Sequence, residues 1–168
     1  MTVSMHQVSA PLFIQGLTGM GGVLDKAAAH VAARKIDPAA LLQARLFPDM
    51  LNFTRQVQIA CDFAKGAVGR LAGDDFPTWE DTETTFEELK ARVDRTIAYL
   101  GSLPADRVDG SEDRTISLVR RGETTTFRGD EYLLKQALPN FYFHVTTAYA
   151  ILRHNGVEIG KRDFLGAA

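Results

Sequence analysis

From Ser4 to about Ala33, the residues His6, Ala10, Phe13, Leu17, Met20, Leu24, Ala27 and Val31 recur in alternating steps of four and three. That spacing lays side chains along one face of an α-helix. A stripe this long has to be covered, and three later segments carry stripes that can cover it. Met50, Phe53, Val57, Ala60, Ala64, Ala67 and Leu71 form one, and Phe86, Leu89, Val93, Ile97 and Leu100 a second. Leu134, Leu138, Phe141, Val145, Ala148 and Leu152 form the third. Four amphipathic helices predict an all-α, four-helix bundle, read as a single domain over residues 1–168.

Punctuation residues set the expected boundaries. Pro11 either kinks the first helix or sits in its opening turn behind a Ser9 cap, and Asp37-Pro38 breaks the chain after it. The second helix is expected to open at Pro48 and Asp49 and to stop at Gly73. The following loop carries Phe76 and Trp79 as anchors. Thr84 and Glu87 have the spacing of a capping box for the third helix, and Gly101 is expected to end it. Two alternating, β-branched runs, "RTISLVRR" and "ETTTFRG", meet at Arg121-Gly122 and predict a β-hairpin inserted before the last helix. A lone hairpin is marginal in water, so Ile116, Leu118 and Phe127 should lie against the bundle. The last helix is expected from about Asp130 to Asn155, bent by Pro139 and closed by Gly156. Phe164 and Leu165 should fold the tail back onto the bundle.

Composition narrows the function classes. A formal charge of -2 does not announce the clustered positive surface that nucleic acid requires. No apolar run approaches the length of a membrane span, and the N-terminus lacks a secretory pattern. With Cys61 as the one cysteine, no intrachain disulfide can form. The expected location is therefore the cytoplasm, with neither nucleic acid nor membrane as a partner.

The segments "RLFPDM", "RQVQIACDFAKGA", "DTETTFEEL" and "PNFYFHVTTAYAILRHNGVEIGKRDFLG" resemble an uncharacterised bacterial and fungal family, number nineteen ninety-three among the domains of unknown function. That family is placed in the DinB/YfiT-like superfamily, which includes metal-dependent transferases using low-molecular-weight thiols and a maleylpyruvate isomerase. The resemblance implies a DinB-like bundle, often assembled as a homodimer. It also implies a metal set of one histidine on the second helix and an H-x-x-x-H pair on the last. Here only His144 fits, because Ala148 stands four positions on and Gln56 and Gln58 stand where the second-helix histidine is expected. Amides are poor substitutes for imidazoles at such a site, so a divalent metal is disfavoured and no cofactor is predicted.

Each candidate residue carries a bland and a functional reading. His144 is either a core histidine bonded to a neighbouring helix or the polar anchor of a small-molecule site. Tyr149 and Asp62 are candidate catalytic helpers, and Gln56 and Gln58 join His144 as candidate ligand-binding residues. Asp62 could equally pair with Lys65 or Arg55 on a solvated face. His6 lies on the inward stripe, while His30 and His154 fall near helix C-termini, where cations are favoured. Cys61 reads as a buried, inert thiol. The glycines Gly16, Gly19, Gly21 and Gly22 lack the flanking elements of a phosphate loop and read as a close-packing surface, with a dimer interface as one setting. Lys161, Arg162 and Asp163 are an exposed charged group or an anion contact. Two expectations follow: an enzyme or former enzyme acting on a small molecule in the bundle core, or a non-catalytic ligand-binding or stress-related homodimer.

Overall fold

The structure is a computed structural model that describes residues 3–166. Four long helices build the bundle: α1 (Ala10–Arg34), α3 (Phe53–Ala72), α4 (Phe86–Ser102) and α7 (Leu138–His154). Short helices α2 (Pro38–Leu42), α5 (Ala105–Val108) and α6 (Gly129–Tyr132) lie in the connections, and α8 (Lys161–Phe164) follows the bundle. The antiparallel hairpin of β1 (Thr115–Arg120) and β2 (Glu123–Arg128) precedes the last helices. Arg121 and Gly122 both have positive φ, 52° and 83°. This is the conformation a two-residue turn needs if it is to match the twist of the strands. Ile116 is buried and Leu118 and Phe127 pack on the core, which seats the hairpin on the bundle.

α1 packs mainly on α4, and α3 mainly on α7. The stripe from Ala10 to Val31 is buried as expected, and the helix opens at Ala10 with Pro11 in its first turn. Of the two readings of Pro11, the second therefore holds. Lys35, in the left-handed conformation, closes the helix ahead of Asp37, whose side chain caps α2.

Several boundaries differ from expectation. Helix α3 opens at Phe53 rather than at Pro48, because Asn52 is the better cap: its Oδ1 accepts the Arg55 N–H at 3.0 Å, while Pro48 and Asp49 stay in a turn. The capping box of α4 is Thr85 with Glu88, one residue later than Thr84 with Glu87; the repetitive "TETTFEEL" admits both registers. Gly101 lies inside α4, and the stop comes from Pro104, which forces Leu103 into an extended conformation.

The largest difference lies before α7. Residues Leu133–Ala137 form a π-helical segment, closed by the Leu138 N–H on the Leu133 carbonyl. Pro139, next in line, has no N–H to continue the α-helical ladder. The wider turn shifts the buried positions: Leu133 and Ala137 face the core, and Leu134, expected inside, is 57% exposed.

Three of the four glycines of α1, Gly16, Gly19 and Gly21, lie against other parts of the chain, and Gly22 faces open space. A Cβ on Gly16 would lie 2.7 Å from the Phe141 ring, and one on Gly19 would collide with the Phe164 carbonyl. α8 therefore docks directly on α1, aided by the Lys26–Asp163 ion pair at 2.6 Å. This accounts for the tail folding back.

One charged cluster ties α3, α4 and the intervening loop together. The Arg92 side chain is fully buried. It reaches Asp62 at 2.9 Å, Asp81 at 2.9 Å and Glu83 at 3.0 Å. Lys65 also pairs with Asp62, and Arg55 with Asp81. Burial alone would raise the Glu83 pKa, but hydrogen bonds from Gln58 and Arg92 outweigh it and hold the carboxyl below its ordinary value. Removing a buried cation leaves its carboxylates uncompensated, which costs about 3–5 kcal/mol. Because Asp62 and Asp81 keep partial access to water, Arg92→Leu is expected near the lower end, a loss of about 3 kcal/mol measured by urea unfolding.

Candidate functional site

The seam between α3 and α7 brings His144 to Gln56. Gln56 is 2% exposed, and its Nε2 donates to the Leu51 carbonyl at 3.0 Å. This orients the amide, because a flipped Gln56 would set two acceptors against each other. Its Oε1 therefore faces His144 Nδ1 at 2.7 Å and requires that nitrogen to carry the proton. The consequence is a histidine fixed as the Nδ1–H tautomer, with Nε2 as its acceptor and base. Among the described residues Nε2 has no protein partner, and it is not one of the buried unpartnered atoms. The ring stacks on Phe63 with centroids 5.7 Å apart and meets Phe143 edge-on at 5.3 Å. Burial lowers its pKa below the ordinary 6.5, which favours the neutral form.

The other candidates are distributed elsewhere. Gln58, 1% exposed, donates to Glu83 at 2.8 Å and accepts from Arg55 at 2.8 Å, so it belongs to the Arg92 cluster rather than to His144. Asp62 is paired with Lys65 and Arg92, not with Arg55. Tyr149 turns toward the C-terminal segment, where its ring meets Phe164 edge-on at 5.8 Å and its hydroxyl points at the Ile159 carbonyl. His6 sits in the turn before α1, its backbone N–H on Asp109 at 2.8 Å. His154 is the last residue of α7, and His30 lies near the end of α1. Cys61 is completely buried, and desolvation pushes its thiol up to about 11. At neutral pH it is a thiol rather than a nucleophilic thiolate.

Sequence reading missed Arg92, Asp81 and Glu83, and no local signal marks Arg92 as buried. It lies one residue before Val93 in α4, and a cation flanking an apolar stripe gives no sign of whether acidic partners will close over it.

The three-histidine metal set does not fit these residues. Ala148 is fully buried and offers no donor, and the Gln56 oxygen is committed to His144. Among the described residues no group of three His, Cys, Asp or Glu side chains could hold a metal ion.

Beside Phe63 opens a cavity of ≈ 220 Å³, lined by α3 residues Ile59, Asp62, Phe63 and Arg70, by β1, and by Tyr132 and Gln136. Phe143, which meets the His144 ring, lines a surface depression with Leu46 and Tyr142, and Phe47 and Leu51 are also exposed. No helix of the described residues is long and apolar enough to cross a membrane.

Residues 5–165 match the sequence profile of a domain of unknown function, DUF1993. No curated protein matches the chain. A crystal structure of a DinB family member protein from Shewanella denitrificans is 40% identical, with a TM-score of 0.88 over 97% of this chain and 92% of that one.

The His144 geometry sets a pH dependence. Because its folded-state pKa lies below 6.5, the unfolded chain binds the proton more readily between the two values. The stability this residue contributes is complete above pH 6.5 and is lost as pH falls through the folded-state pKa. His144→Asn keeps a donor for Gln56 without the titration. Melting temperatures at pH 7.5 and about pH 5 should show wild type losing more than the variant on acidification.

Proposed function

The chain belongs to the DUF1993 family, and we propose that this DinB-like bundle binds a small molecule at the α3–α7 seam without a metal, with His144 as the polar anchor. The observation that carries this reading is the chain from the Leu51 carbonyl through Gln56 to His144 Nδ1, at 3.0 and 2.7 Å. A histidine whose function ended at packing would need only one satisfied nitrogen. This one is held in a single tautomer, favoured in the neutral form by burial, and left with an acceptor atom that has no protein partner among the described residues. Such a nitrogen can receive a hydrogen bond from a hydroxyl, thiol or ammonium group, or accept its proton.

Thermal-shift screening of small alcohols, thiols and amines tests the reading. Compounds are expected that raise the melting temperature of the wild type and lose that effect in His144→Phe. If every stabilising compound acts equally on both proteins, His144 is not the anchor.

A homodimer belongs to the same proposal. Leu46, Tyr142 and Phe143 line one exposed depression, with Phe47 and Leu51 exposed nearby in sequence, and exposed apolar surface of this kind marks association sites. The group borders the site, since Phe143 touches the His144 ring and Leu51 holds Gln56. Sedimentation at micromolar concentration should give a dimer, and Phe143→Asp a folded monomer. A wild-type monomer would remove this part of the account.

A further inference from the structure

The cavity beside Phe63 has a chemistry of its own, centred on Arg70. This side chain folds back along α3, where its Nη1 donates to the Gly66 carbonyl at 2.9 Å and to the Tyr132 hydroxyl at 3.2 Å. Gly66 permits the fold-back, because a Cβ there would stand 2.6 Å from Nη1. The guanidinium also lies over the Phe76 ring, 4.6 Å from its centroid. The group is thus held from several sides. Yet among the described residues Arg70 has no carboxylate partner, and no protein acceptor takes its Nε and Nη2 donors. It differs in this from Arg92, which is surrounded by three carboxylates.

We propose that this cavity binds a small monocarboxylate with an apolar tail, its carboxylate received by the Nε and Nη2 edge of Arg70. Two parallel N–H donors in a plane match the two oxygens of a carboxylate, and such charge-assisted pairs are stronger than neutral ones. Ile59, Phe63 and Leu118 supply the apolar wall. The charges in the lining are Arg70 and Asp62. A single cation facing an anionic side chain suits a monoanion and opposes a phosphate dianion. Asp62 already serves Arg92 and Lys65 through Oδ1, and a hydroxyl on the tail could approach its other oxygen. At ≈ 220 Å³ the space lies below the ~300–1,000 Å³ typical of drug-sized ligands, so the ligand is short.

The π-helical segment contributes to this site. Its wider turn brings Leu133 inward and leaves Gln136, within it, and Tyr132, just before it, on the cavity wall. Segments of this type occur frequently at functional sites.

The inference does not depend on His144, and its test is arranged to show that. Phenylacetate and hexanoate are titrated into the 15N-labelled protein, with phenylacetamide as the uncharged counterpart. At least one carboxylate should give saturable shifts in α3, β1 and the π-helical segment, and phenylacetamide should not. Arg70→Gln is expected to weaken binding at least tenfold. Val119→Asp, which places a negative charge at an exposed hairpin position in the lining, should weaken it several-fold without involving the core. His144→Phe should leave the affinity unchanged. Equal binding of phenylacetamide, absence of saturable shifts with both carboxylates, or wild-type affinity in Val119→Asp would overturn the proposal. Should Arg70→Gln fail to fold, Val119→Asp decides.

Discussion

Arg92 carries a full positive charge into a helical bundle with none of its side chain exposed, and that is affordable only because three carboxylates meet it there. Two of them, Asp81 and Glu83, come from the loop between α3 and α4, and the third, Asp62, from α3. The loop cannot wander without stripping a buried cation of its partners. The same cluster engages Gln58 and Lys65, and stacks Lys65 and Arg95 against Trp79 at 5.0 and 4.0 Å. α3 and α4 are thereby fixed at one side of the bundle. α3 can then present Gln56, Phe63 and Arg70 to α7 and the hairpin in one register.

Along the other side of α3, polar groups are arranged differently. Gln56 is satisfied at both ends, and it settles the protonation of His144. The relationship to the DinB fold is plain in the 40% identity and the near-complete overlap, and where the resemblance led a three-histidine set to be expected stand Gln56, His144 and Ala148. Arg70, two turns beyond Phe63 and held by Gly66 and Tyr132, has no acidic partner among the described residues. On one side α3 therefore joins a charge cluster, and on the other it carries Gln56, which orients His144 of α7, and Arg70.

Much of the fold was legible because helical periodicity is a local signal. The α1 stripe, the hairpin with its Arg121-Gly122 turn and the docked tail all follow from spacing, β-branched alternation and apolar residues near the terminus. What was not legible depended on competition between near-equivalent signals or on distant contacts. Asn52 outcompeted Pro48 as a helix start, and Thr85 outcompeted Thr84 as a cap. Leu134 reached solvent because Pro139 imposes a π-helical segment that an α-helical count does not anticipate. For the site, the pairing of Gln56 with His144 across 88 positions combined two residues singled out separately, each for its place in a ligand pattern. Asp62 and Gln58 were singled out with them, but their partners Arg92 and Glu83 come from elements whose approach is invisible in a local window; Tyr149 meets Phe164 of the tail, whose return was expected but not its partner.

The central claim is that Gln56 fixes His144 as a neutral Nδ1–H tautomer with Nε2 available. Long-range 1H–15N correlation of the histidine rings at pH 7.5 reads this directly. The account predicts that His144 shows a protonated Nδ1 and an unprotonated Nε2, and that Gln56→Leu abolishes the preference. An Nε2–H tautomer, or a charged ring at that pH, would contradict it.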